Sequence, residues 1–173
     1  MITYREAISE DADPIAQLHS LSWQQNYRGI WSDTFLDGPV HQNRLEIWRN
    51  RFQQPPINQY VIIAETDAVL CGFACAYAED SPVWGTLLDN LHVRKELKGQ
   101  GIGRILIQLA ARWSYQKNPK SGFYLWVLAQ NTNAQKFYNK LGGVNAETVS
   151  LANPDGSFSD CYRYVWTDVT TLL

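Results

Sequence analysis

Val93-Arg-Lys-Glu-Leu-Lys-Gly-Gln-Gly-Ile-Gly-Arg104 sets three alternate glycines, Gly99, Gly101 and Gly103, between a strand-like run from Leu87 to Val93 and an apolar-periodic helix beginning near Ile102. At these glycines no Cβ keeps a ligand from the backbone, and the first amides of the helix are unpaired donors at the positive end of its dipole. Two phosphates fit that arrangement, with Lys98 and Arg104 as neighbouring cations. A Gly-rich turn that only ends a strand and opens a helix is the other reading of the loop taken alone. Neither common nucleotide motif fits. A P-loop needs Gly-Lys-Ser/Thr, whereas Arg104 and Ile105 follow the last glycine. A Rossmann fingerprint needs G-x-G-x-x-G and a downstream acid for a ribose, whereas the next strand, Phe123 to Leu128, ends in Ala-Gln-Asn. What remains is a diphosphate ligand bound without an evident metal.

Outward from this loop the chain reads as alternating strands and helices. Ile2 to Glu6 is strand-like, and Ser9-Glu-Asp-Ala-Asp-Pro opens a helix with acids in its first turn, on which Ile15, Leu18, His19 and Ser22 share a face. Trp31 to Val40 is turn-rich, and a second helix follows in which Leu45, Trp48, Arg49 and Phe52 recur at helical spacing. Tyr60 to Glu65 and Val69 to Tyr77 predict a hairpin around Thr66-Asp-Ala. In the helix after the glycines, Ile102, Ile105, Leu106, Leu109, Ala110 and Trp113 form an apolar stripe that should pack on a sheet, leaving the helix N-terminus at the sheet edge. A helix from Asn133 to Leu141 repeats the stripe with Ala134, Phe137, Tyr138 and Leu141, and Gly142-Gly143 ends it. Strands near Ala146 to Leu151 and Cys161 to Thr167 flank the turn Asn153-Pro-Asp-Gly156. The expected class is α+β with a mixed, largely antiparallel sheet.

With 173 residues, 45% of them hydrophobic, the sequence suits one domain over residues 1–173 with a substantial core. No segment reaches the roughly 18 apolar residues of a membrane span, and Met-Ile-Thr-Tyr-Arg-Glu lacks the h-region of a signal peptide, so a cytoplasmic protein that does not engage a membrane is expected. Cys71 and Cys75 share a strand face if the alternation is unbroken, a pattern of buried packing rather than of a redox pair. His19, His41 and His92 are scattered without ligand spacing, so no metal is expected. Residues 1–90 carry 5 Lys/Arg against 12 Asp/Glu, a balance of −7, and residues 91–173 carry 10 against 5, a balance of +5. A basic second half favours an anionic cofactor and an acidic first half a cationic acceptor, unless the acids are simply surface scatter. The basic residues form no run with interleaved aromatics, which argues against nucleic acid.

Two ordered motifs resemble the GNAT superfamily of acyl-CoA-dependent N-acyltransferases. Lys98-Gly-Gln-Gly-Ile-Gly103 is similar to its Arg/Gln-x-x-Gly-x-Gly/Ala signature, after the usual strand, here Leu91-His-Val93. Leu125-Trp-Val-Leu-Ala-Gln-Asn-Thr-Asn-Ala-Gln-Lys-Phe-Tyr-Asn-Lys-Leu-Gly142 is similar to its strand, Asn, and helix with Ala-x-x-Phe-Tyr-x-x-Leu-Gly. One departure is Lys98 in place of Arg or Gln, which keeps the positive charge. The resemblance implies a GNAT-like three-layer fold, a central mixed, mostly antiparallel sheet flanked by helices, and an N-acetyltransferase that uses acetyl-CoA as co-substrate and no metal. It assigns the cofactor to the backbone at Leu91, His92 and Val93, to the loop of Lys98, Gly99, Gln100, Gly101, Ile102, Gly103 and Arg104, and to Asn131, Ala134, Phe137 and Tyr138. Tyr138 takes the position of the tyrosine that protonates the departing thiolate, although an aromatic in that stripe also suits a core. Asn131 serves equally as a plain helix cap.

Acyl transfer to an amine needs a proton acceptor, because an alkyl ammonium has a pKa near roughly 10. Where many family members carry a glutamate this chain has Leu87, which cannot serve. Asp89, two residues on and of the same facing in an unbroken strand, is the first candidate, with Glu79, Asp80 and His92 as rivals; His92 would face the opposite way. Ser22-Trp-Gln-Gln-Asn-Tyr-Arg-Gly-Ile-Trp31 resembles a Ser-Trp-x-x-x-Tyr-x-Gly pattern of one GNAT subgroup. Trp23 and Tyr27, four apart, share a helix face that suits the wall of an amine pocket, with Asp89 as a further substrate contact, while Trp23 suits an ordinary core position equally well. The acceptor is a small-molecule or peptide amine. A non-catalytic acyl-CoA-binding or sensing module is the alternative, motivated by Leu87 and Lys98, and the seven tryptophans suit either a core or a homodimer interface.

Overall fold

The computed structural model describes residues 1–173, and every long sequence-predicted element is present. Its strands are β1 (Thr3–Glu6), β2 (Gln59–Thr66), β3 (Val69–Ser81), β4 (Gly85–Val93), β5 (Phe123–Leu128), β6 (Val144–Ala152) and β7 (Phe158–Trp166). Its helices are α1 (Ala12–Asn26), α2 (Asp33–Asp37), α3 (Val40–Gln53), α4 (Ile102–Lys117) and α5 (Thr132–Lys140). The short α2 falls in the stretch expected to be turns alone; Ser32 caps it, its Oγ accepting from Phe35 N at 3.3 Å, and Phe35 and Leu36 anchor it in a core.

The seven strands form one sheet in the order β1-β2-β3-β4-β5-β7-β6. Every pairing is antiparallel except β4 with β5, which is parallel and extends over only two residue pairs, Thr86 with Phe123 and Leu87 with Tyr124. Beyond Leu87 the two strands diverge, so the sheet splits in its middle. The N-terminus of α4 therefore lies beside an interior gap rather than beside an outer strand.

One face of the sheet packs against α4 and α5 through Leu88, Leu125, Ile102, Leu106, Ile107, Ala110 and Tyr138. The buried stripe of α4 includes Ile107, Ala111 and Ser114, while Ile105 is exposed, a rotation of the expected face. Ser114 is accommodated because its Oγ shares a 2.6 Å hydrogen bond with Thr86 Oγ1, which ties α4 to β4 where β4 is still paired on both sides. The other face packs against α1 and α3 through Ile15, Leu18, Trp48, Val61, Ile63 and Phe73. A third cluster, Trp23, Trp31, Phe35, Leu36, Val40, Leu128 and Cys161, lays α2 and the segment before it over β5 and β7. In α3 the buried positions are Val40, Arg44 and Trp48, whereas Arg49 is exposed and paired with Asp13.

Two bulges break the alternation read from the sequence. On β3, Leu70 pairs with Glu65 and Gly72 with Ala64, which leaves Cys71 as an extra residue. Cys71 accordingly joins the α4 core and Cys75 the α1/α3 core, so they lie on opposite faces, contrary to expectation. On β4, Leu88 pairs with Ala76 and Asn90 with Cys75, so Asp89 is the extra residue there.

Candidate active site

The bulge decides which way the end of β4 presents its side chains. Beyond it, Leu91 and Val93 pack with the α4 cluster, while Asn90 and His92 point to the α1/α3 face. Asp89 reaches the same face and pairs with Arg51 of α3 at 2.8 Å. Asp89 and His92 thus share a face, where an unbroken strand would have opposed them.

After Val93 the chain makes a single 3₁₀ turn over Lys95–Leu97 and enters α4 through Gly99 and Gly101, at φ +82° and +85°. Both glycines face open space, so it is their left-handed backbone and not crowding that excludes side chains. The amides from Gly99 to Arg104 donate to nothing within the protein; the first helical bond is Ile105 N to Gly101 O at 3.1 Å. Six successive donors at the positive end of a 16-residue helix suit a diphosphate. Arg104 is exposed without an ion pair, and Lys98 leans towards α1, its Nζ 3.4 Å from Asn26 Oδ1. Gly72 fixes the floor beneath the loop, since a Cβ there would lie 2.9 Å from His92 O and 3.2 Å from Leu106 Cδ1.

On the far side of the gap, Asn131 caps α5, its Oδ1 accepting from Ala134 N at 3.2 Å, with no protein partner for Nδ2. Phe137 lies against the start of α4, 3.6 Å from where a Cβ on Gly103 would stand. The Tyr138 ring is buried among Phe137, Tyr164 and Trp166, at centroid distances of 5.3, 5.8 and 6.2 Å. Its hydroxyl has no protein partner yet is not sealed from solvent. Burial, with Tyr27 nearby, raises its pKa, so it remains a protonated donor at neutral pH. Tyr27, at the end of α1, lies near Tyr138, and burial pushes its pKa up to about 12.

The α1 side holds a polar chain that sequence reasoning did not assemble. His92 Nδ1 lies 2.8 Å from Ser22 Oγ, which also receives Asn26 Nδ2 at 3.2 Å. The His92 ring sits 4.5 Å from that of His19, whose Nδ1 accepts from Trp48 Nε1 at 3.0 Å. Burial first, then Lys98 and Arg44, lower the pKa of His92 to about 3; burial, His92 and two arginines hold His19 well below its ordinary value. Of the rival carboxylates, Asp80 accepts from the Tyr124 hydroxyl and Glu79 is exposed at φ +54°, both at the closed end of the split.

Both imidazoles are neutral in the fold, whereas the unfolded chain protonates them below about pH 6.5. Their contribution is intact above that pH and is lost as pH falls below it; for His92, with its folded pKa at about 3, the loss is about 2 kcal/mol at pH 5, and His19 adds to it in the same direction. Urea unfolding at pH 7 and pH 5 is expected to show that loss, and His92→Gln to reduce it by about 2 kcal/mol. An equal pH dependence in the variant would refute the assignment.

Comparison with known proteins agrees with this layout. The acetyltransferase (GNAT) family model matches residues 15–143. An uncharacterised N-acetyltransferase of Bacillus subtilis, YuaI, is 25% identical over 173 residues, with 90% of this chain and 94% of the relative covered. Among solved structures, the PaiA N-acetyltransferase of Thermoplasma acidophilum, in complex with coenzyme A, superposes with a TM-score of 0.70 at 21% identity, covering 95% of this chain and 99% of that one. YncA of Salmonella typhimurium, solved with its cofactor acetyl-CoA, gives 0.69 at 18% identity, covering 96% and 93%. The split sheet, the glycine loop opening α4 and the match across three quarters of the sequence lead to one conclusion: the chain belongs to the GNAT family of acetyltransferases.

Proposed function

We propose that the protein transfers the acetyl group of acetyl-CoA to the primary amine of a small molecule or peptide, by direct attack within a ternary complex. The observation that carries this reading is the row of six unpartnered amides, Gly99 to Arg104, beside an interior gap in the sheet; the unpartnered Tyr138 hydroxyl on α5 supports it. The diphosphate is cradled by Lys98, Gly99, Gln100, Gly101, Ile102, Gly103 and Arg104. The β5-facing edge of β4 along Leu91, His92 and Val93 supplies backbone groups to the pantetheine arm and to the carbonyl that becomes an oxyanion. Asn131 Nδ2 donates from the opposite side, with Ala134 and Phe137 as the wall. Bound acetyl-CoA supplies a thioester, an acyl donor with a good leaving group. Tyr138 donates its proton to the departing sulfur.

Trp23 and Tyr27 wall the acceptor side, opposite the cradle. Asp89 receives the proton of the amine in competition with Arg51, which already holds its oxygens at 2.8 Å. Leu87 and that engaged carboxylate are what favour the second reading, a module that binds acyl-CoA without turnover.

Thiol release from acetyl-CoA with a broad amine panel, run beside calorimetric titration with CoA, separates the two. The expected result is micromolar CoA binding and amine-dependent release. Binding without release by any amine would establish the module, and absence of binding would overturn both readings.

A further inference from the structure

The acceptor side contains more hydrogen-bond donors than the protein satisfies. Arg44 is only 7% exposed, yet no carboxylate pairs with it. Its Nε donates to Asn43 Oδ1 at 3.0 Å and its Nη2 to the same oxygen, while Nη1 has no partner. The guanidinium lies over the Trp23 ring, 4.0 Å from the centroid. Two further rings meet that indole nearly at right angles: Trp31 at 4.5 Å and His19 at 4.6 Å. Trp31 Nε1 and His19 Nε2 are the two side-chain polar atoms of the chain that are buried with no partner at all. His19 Nδ1 accepts from Trp48, so Nε2 carries the proton and is a donor.

Two buried donors and the free Nη1 of Arg44, which still reaches solvent, therefore belong to rings and a guanidinium packed on one indole, and no protein acceptor meets any of them. An unmatched buried donor is costly, and a buried guanidinium without a counter-ion more so. The surrounding charges sharpen the point. Arg44 and Arg51 face β4 from α3, Asp89 is the one carboxylate facing them, and His19 and His92 are neutral. The local balance is one positive charge, opposite to the acidic balance of residues 1–90 as a whole. A polyamine would bring a second cation to this place; an anion would complete it.

We propose that the acceptor amine bears a carboxylate, as in an amino acid, and that Arg44 receives it against the face of Trp23. The guanidinium fork matches a carboxylate, and Asn43 fixes its orientation. This assignment rests on the transfer reading above and narrows it to one substrate class.

The test compares each amino acid with the amine formed from it by decarboxylation, using thiol release with the full chain and saturating acetyl-CoA. The amino acids are expected to be favoured about ten- to hundredfold in kcat/KM. Arg44→Gln is expected to collapse that advantage to within about threefold, mainly through KM for the amino acid, and Arg44→Lys to restore part of it. Trp31→Phe, which removes a single N–H, carries the same readout if Arg44→Gln fails to fold. Equal or better turnover of the decarboxylated amines overturns the proposal. Titration of the CoA-loaded protein with N-acetyl amino acids and N-acetyl alkylamines distinguishes the two levels. Acid-selective binding without turnover would keep the carboxylate subsite at Arg44 and remove the transfer reading, and with it the acceptor assignment; turnover without acid selectivity would keep transfer and overturn the subsite.

Discussion

Tyr138→Phe is expected to lower kcat for acetyl transfer about a hundredfold or more, with KM for acetyl-CoA changed less than threefold. The substitution removes one oxygen and leaves the ring among Phe137, Tyr164 and Trp166. The hydroxyl makes no bond within the protein, so the fold loses no hydrogen bond with it. On the proposed mechanism, what disappears is the proton donor for the departing thiolate; burial keeps that hydroxyl protonated. Steady-state thiol release, with a thermal melt as control, measures the split. A fall in melting temperature that tracks the fall in rate, or an unchanged kcat, would instead make Tyr138 an ordinary core aromatic.

Gly101→Val carries the second large effect. A β-branched residue at φ +85° costs on the order of 1–3 kcal/mol, and the loop can escape the strain only by leaving the conformation that aligns its amides. The added side chain meets no atom within 4 Å, so the rest of the domain has no reason to unfold. CoA binding should weaken at least about a hundredfold by calorimetry, while the melting temperature shifts by a few degrees. Gly101→Asn, a residue that tolerates the left-handed region, should lose far less. Equal losses for Val and Asn would mean that bulk and not backbone geometry matters there.

The local structure at these two positions was legible in the sequence: a left-handed glycine turn opening α4, and an Asn-capped α5 that buries Tyr138. Alternate glycines before a helix, and an Asn followed by an aromatic pair at helical spacing, have one sensible arrangement whatever surrounds them. The elements themselves were legible from periodicity, down to Phe123–Leu128 as β5. The bulges were not. An extra residue at Cys71 or Asp89 depends on how β3 packs against both its neighbours, and nothing in Leu-Leu-Asp-Asn-Leu announces it. That omission set the wrong facing for Asp89 against His92 and for Cys71 against Cys75.

The Arg44, His19 and Trp23 cluster was missed for another reason. The sequence stripe of α3 runs through Leu45, Trp48, Arg49 and Phe52 and leaves out Arg44, because a charged residue on a helix ordinarily faces water. The available signal was Arg44, Trp48 and Arg51 at i, i+4 and i+7, cations recurring on the same face as a large aromatic.

The split between β4 and β5 bears on how the protein should be handled. Most sheets guard their outer strands against pairing with other chains, whereas this one carries an unpaired edge in its interior, along the part of β4 beyond Leu87. Whatever fills the gap also masks that edge and, by binding only the folded state, holds the fold together. Concentrated stocks freed of acyl donor present the bare edge to one another, and CoA belongs in the storage buffer as much as in the assay.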